Sequence, residues 1–80
     1  MTIGEAVRLR IIELADKNNI TLNKLATISG LTQSTINNIT GGRNNSATIS
    51  TIKKICDGLE MDVREFFNSP LFDDLEQEIK

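Results

Sequence analysis

Apolar residues recur along the chain at intervals of three and four, interrupted by short polar or glycine-containing gaps, which predicts five helices and no strand. Val7, Ile11 and Leu14, with Ile3 one turn earlier and Leu9 and Ile12 widening the stripe, predict a helix over residues 4–18. Thr2 is its cap, Glu5 stands at capping-box distance, and Lys17, Asn18 and Asn19 end it at the negative pole of its dipole. A second helix, over 22–29, is capped by Thr21, groups Leu22, Leu25, Ala26 and Ile28 on one side, and stops at Gly30, with Leu31 plugging the angle that follows. Thr32 opens a third, in which Ile36 and Ile39 point inward and which Gly41 and Gly42 stop. After the loop GGRNNSA, Thr48 caps a fourth helix whose buried side is Ile49, Ile52, Ile55, Cys56 and Leu59. Met61 bridges to a fifth, opened by Asp62 with Glu65 at capping-box distance, and Val63, Phe66 and Phe67 close the core.

Beyond residue 68 the pattern changes. Ser69 and Pro70 suit the cap and first position of one more short helix, with Leu71, Phe72, Leu75 and Ile79 as an apolar edge against Asp73, Asp74, Glu76 and Glu78. The chain therefore divides into a helical domain, 1–68, and an acidic amphipathic extension, 69–80. The extension is either a frayed tail or a docking element; Leu71, Phe72, Leu75 and Ile79, with Phe67 nearby, are expected to form the contact of a symmetric dimer, the competing possibility being that the tail folds back on its own domain.

Residues 21–42 carry the chemistry. Opposite the inward Ile36 and Ile39, the third helix shows Gln33, Ser34, Asn37 and Asn38, which are mediocre helix formers where Glu and Lys are commoner. Asn and Gln pair bidentately with adenine, and Ser bonds donors or acceptors in the major groove, so this face has the chemistry of base readout. A merely solvated polar face is the other explanation of the same four residues.

Two short helices at a tight turn, with Ala26, Gly30, Leu31, Ile36 and Ile39 at these spacings, resemble the Cro and phage-repressor (XRE) family of helix-turn-helix proteins, and the resemblance extends over about residues 7–67. It implies an all-α, five-helix lambda-repressor-like domain with a short C-terminal helical extension. It also implies base readout by Gln33, Ser34, Asn37 and Asn38, with Asn37 the less direct of these. Thr21, Thr32, Arg43, Asn44 and Asn45 would then lie along the DNA backbone. Where the family often places a phosphate-bonding glutamine, this chain has Leu22. Where it often joins an arginine late in helix 1 to a glutamate ending the recognition helix, this chain has Ala15 and Thr40. Loss of both partners leaves no uncompensated charge, so the paired change agrees with the alignment.

Eighty residues allow one domain and one modest core, built from Ile and Leu because there are three Phe and no Trp or Tyr. No signal peptide and no membrane-length apolar run is visible, so a cytoplasmic chain is expected. A single cysteine, Cys56, forms no internal disulfide and reads as a buried thiol rather than a redox switch. The net charge of −2 is divided unevenly: residues 1–55 carry seven cations and three anions, residues 56–80 two cations and eight anions. The motif lies in the positive part, yet with few phosphate-directed cations a single copy should bind DNA weakly and in a salt-sensitive way. No His, no cysteine pair and no phosphate-cradling loop is present, which argues against an enzyme, a metal site or a cofactor, and no small-molecule ligand is evident. Two functions remain: a DNA-binding transcriptional regulator, expected to be a repressor that grips its double-stranded operator as a homodimer, or a protein-interaction module that keeps the fold without binding DNA.

Overall fold

The computed structural model describes residues 1–41 and 47–79. These form α1 Ile3–Lys17, α2 Leu22–Ile28, α3 Gln33–Thr40, α4 Ile49–Gly58 and α5 Val63–Phe67, then a single 3-10 turn, Pro70–Phe72, with no strand among the described residues. Each α-helix starts where a side-chain oxygen meets an orphan amide. The hydroxyls of Thr2, Thr21, Thr32 and Thr48 accept from the N–H three residues on, and Asp62 accepts from Arg64. Thr2/Glu5 and Asp62/Glu65 form complete capping boxes.

Three of the helices end alike. Asn19, Gly30 and Glu60 have φ of 54°, 66° and 55°. The next amide, of Ile20, Leu31 or Met61, then donates five residues back, to Ala15, Ala26 or Cys56 at 2.9–3.0 Å. The apolar residue so placed packs against the core in every case, which is how each turn is tied to the interior.

The core is Val7, Ile11, Leu14, Ala15, Leu25, Ala26, Ile36, Ile39, Ile52, Ile55, Cys56 and Phe66, with α2 against α3 and α4, α1 against α2 and α3, and α4 against α5. Full burial of one such large side chain stabilises the fold by about 1.5–3 kcal/mol. Ala15 is buried, and the Thr40 hydroxyl donates to Ile36 O at 2.8 Å, so neither position leaves a polar group in want of a partner.

Four expectations are corrected. Ile49, at the first position of α4, is 86% exposed rather than part of the buried side, because no described element reaches over that end of the helix. Val63 and Phe67 lie partly outside, leaving Phe66 alone to fill the α5 site, and Ile28 is likewise only partly covered. Arg10 is one of the seven cations counted in residues 1–55. It is buried, with Nε donating to Phe66 O at 2.7 Å, one terminal nitrogen to Glu65 O at 2.8 Å, and the other pairing with Glu13 at 2.6 Å. Finally, the helix expected from Pro70 is confined to one 3-10 turn.

That turn brings Phe72 onto the core, and its ring meets Phe67 edge to face at 5.0 Å, as Phe67 meets Phe66. The extension then runs beside α1: Glu76 N donates to Met1 O at 3.0 Å, and the Glu76 carboxylate pairs with the terminal ammonium at 3.5 Å. Leu71 and Leu75 are half-buried, while Ile79 is 85% exposed.

Candidate nucleic-acid interface

The packing of α3 follows from its own sequence: Ile36 and Ile39 go inward against α1 and α2, so the residues between them must go outward. Gln33, Ser34, Asn37 and Asn38 are all exposed and line one shallow recess of about 900 Å³, together with Ile12, Leu22, Thr40 and Gly41. Among the described residues, none hydrogen-bonds the side chains of Gln33, Ser34, Asn37 or Asn38. Three side-chain amides and a hydroxyl thus stand free on one helix face, with donors and acceptors available to a ligand.

Thr21 and Thr32 are exposed at the starts of α2 and α3. The Thr21 hydroxyl oxygen accepts Lys24 N–H at 3.0 Å, which leaves its proton free to donate to a phosphate oxygen. Thr32 caps Thr35 N–H at 3.1 Å and shares a second bond with the Thr35 hydroxyl at 2.9 Å. Arg43, Asn44 and Asn45 lie outside the described residues. Leu22 packs against the core while also lining the recess, so the position that could have carried a phosphate-bonding amide serves packing.

Two features of this surface were not anticipated from the pattern. Ile12, placed with the inward stripe, is exposed and forms an apolar wall of the recess beside Leu22. The second was visible in the sequence all along: between Asp16 and Asp57 there is no Asp or Glu, while Lys17, Lys24, Arg43, Lys53 and Lys54 fall in that interval. A forty-residue stretch free of carboxylates that contains both α2 and α3 lets a polyanion approach without repulsion from that part of the chain. Of these cations Lys53 is engaged by Asp57, one turn on, whose hydrogen bond and charge hold the ammonium above its ordinary value. No carboxylate is among the described residues that line the recess.

No helix among the described residues is long and apolar enough to cross a membrane, and no group of three or more potential metal ligands is found among them. No curated protein matches the chain. Among solved structures it is similar to the crystal structure of the prophage Lp1 protein 11, with 40% identity and a TM-score of 0.81, covering 94% of this chain and 99% of the other. The profile of the Cro/C1-type HTH DNA-binding domain matches residues 10–70, a span that takes in α2, α3 and the recess between them. The chain belongs to the Cro/C1-type helix-turn-helix DNA-binding family.

Proposed function

We propose that the protein is a sequence-specific transcriptional regulator of the repressor kind, acting in the cytoplasm, which lays α3 in the major groove of its operator. The observation that carries this reading is the free amide face: Gln33, Ser34, Asn37 and Asn38 read base edges, and Thr21, Thr32, Arg43, Asn44 and Asn45 follow the phosphates. Repression needs no further surface, since occupancy of a promoter is enough to block it. One module of this size buries only about 600–1,000 Å² on DNA, so two copies on half-sites about 34–36 Å apart form the working unit.

A gel-shift titration at low salt, against the DNA flanking its own gene, tests the reading. Gln33→Ala and Asn38→Ala each cost about 1–3 kcal/mol and relax preference at particular base pairs. Arg43→Ala weakens all sequences alike and flattens the salt slope by about one unit. Absence of any complex at low salt, or indifference to Gln33→Ala, overturns it. A protein-interaction module without DNA affinity is favoured by Leu22 at the phosphate position and by the acidity of residues 56–80, and the same titration decides between the two.

A further inference from the structure

The recess beside α3 joins two kinds of surface. Gln33, Ser34, Asn37 and Asn38 bring free amides and a hydroxyl from α3, and beside them Ile12 of α1 and Leu22 of α2 bring an apolar wall. Ile12 is 36% exposed, and Leu22 is half-buried where it packs on the core. A lone isoleucine on a surface needs no explanation. Two branched aliphatic residues brought from separate helices to the edge of a polar recess do.

We infer that this wall takes the C5 methyl group of a thymine, which makes Ile12 and Leu22 specificity-determining residues for an A·T pair whose adenine is read by an amide of α3. The inference rests on the base-readout reading and names the base pair that reading favours. Three observations carry it. In the major groove an A·T pair shows N6–H and N7 on adenine, and O4 with the methyl on thymine, so its complement is an amide with an apolar surface next to it. The recess holds both. Leu22 is the first residue of α2, directly after Thr21, whose hydroxyl proton is free for a phosphate oxygen. That sets the wall at the rim of the groove, and the thymine methyl stands on this outer side of the pair, towards the phosphates of its own strand. Charge gives the third observation: neither a cation nor a carboxylate is among the described residues lining the recess. The two acceptors of guanine therefore lack the Arg or Lys that suits them, and the amino group of cytosine lacks a carboxylate. 5-Methylcytosine carries the same methyl, but its partner is guanine, so thymine is the source that fits the amides.

Selection from a random-sequence duplex pool with the full chain supplies the probe. Each thymine of the enriched duplex is then exchanged in turn for deoxyuridine, which removes the methyl and keeps every hydrogen bond. One thymine in each half-site should lose about fourfold in affinity, the worth of one buried carbon. Ile12→Ala and Leu22→Ala should each weaken binding to the thymine duplex and shrink that difference, whereas Gln33→Ala weakens binding and keeps it. Because Ile12 is exposed, Ile12→Ala retains the wild-type thermal midpoint and stays readable even if Leu22→Ala unfolds. A 5-methylcytosine·guanine pair at the same position should bind more weakly than thymine·adenine; equal or tighter binding makes methylated DNA the partner and overturns the choice of thymine. An enriched sequence indifferent to every deoxyuridine exchange overturns the inference and leaves base readout standing, as does a thymine preference that survives Ile12→Ala undiminished. A pool that enriches no sequence overturns the base-readout reading and this inference with it.

Discussion

Arg10 offers the sharpest test of how the domain is held together, because a buried guanidinium here closes three gaps at once. Its Nε satisfies the carbonyl of Phe66 at the end of α5, where the helix supplies no donor, one terminal nitrogen joins Asn68 N–H on the carbonyl of Glu65, and the other terminal nitrogen pairs with Glu13. A hydrogen bond from a charged donor contributes about 1.5–3 kcal/mol, and an orphaned buried carbonyl costs about 1–3 kcal/mol. Arg10→Met keeps the volume of the stem but strands the Phe66 carbonyl, while Glu65 O retains the Asn68 N–H at 3.2 Å, so it should destabilise by about 2–4 kcal/mol. Arg10→Ala adds a cavity and should cost about 3–5 kcal/mol, a large part of the roughly 5–15 kcal/mol that holds a small domain. Glu13 is 40% exposed on its side chain, so its removal by Glu13→Gln should cost less than about 1 kcal/mol. Urea titration at neutral pH, followed by helical circular dichroism, measures all three. A cost below about 1 kcal/mol for Arg10→Met, or a larger cost for Glu13→Gln than for Arg10→Met, refutes the assignment. A second readout separates structure from phosphate contact: under folding conditions Arg10→Met leaves the salt slope of DNA binding unchanged, whereas a lost phosphate contact lowers it by about one unit.

Three further outcomes follow from single residues. Gly58→Ala, which at an ordinary helix position adds up to about 1 kcal/mol, should instead destabilise by roughly 1–3 kcal/mol, because the new Cβ would stand 2.8 Å from Ile28 O and from the buried Ser29 Oγ; a raised urea midpoint would sink this. Cys56 is fully buried and its thiol is pushed up by that burial, so iodoacetamide should label the native protein only as fast as it unfolds, and labelling at the rate of a free thiol in native buffer counts against the packing. The Asp62 carboxyl lies below its ordinary 3.8 through the Arg64 side chain and backbone N–H, so its contribution is present above that value and is lost as pH falls through the lowered folded value; stability against pH should be flatter for Asp62→Asn below about pH 4, and identical curves for variant and parent refute it.

What was legible in the sequence is what neighbouring residues decide among themselves. All five N-caps, the inward Ile36 and Ile39, the left-handed turns at Asn19 and Gly30 and the outward amide face are set within one or two helical turns, and the structure has them where the pattern puts them. Arg10 was not legible, because its partners lie 55 and 56 residues away and are backbone carbonyls, which carry no side-chain signature. Glu60 was not legible either: a left-handed Glu is unfavourable by itself and is held there by Met61, whose amide reaches Cys56 O.

The extension and Ile49 fail for a different reason. Ser69 and Pro70 do start a turn, but Asp73, Asp74, Glu76 and Glu78 would stack carboxylates at three- and four-residue spacings with no cation among them, towards the negative end of a helix. One turn suffices to seat Phe72, and the chain then bends at Asp73 and Asp74 and forms no further helix among the described residues, which lets Glu76 reach the ammonium at Met1 instead. Ile49 meets the spacing of the buried stripe but stands at its first position, where periodicity cannot say whether another element covers it. A pattern of three and four records that a residue is apolar, not which surface buries it. For Ile52 and Ile55 that surface is the core; for Ile49 no described element supplies one, and a helix-period pattern reads the same in both cases.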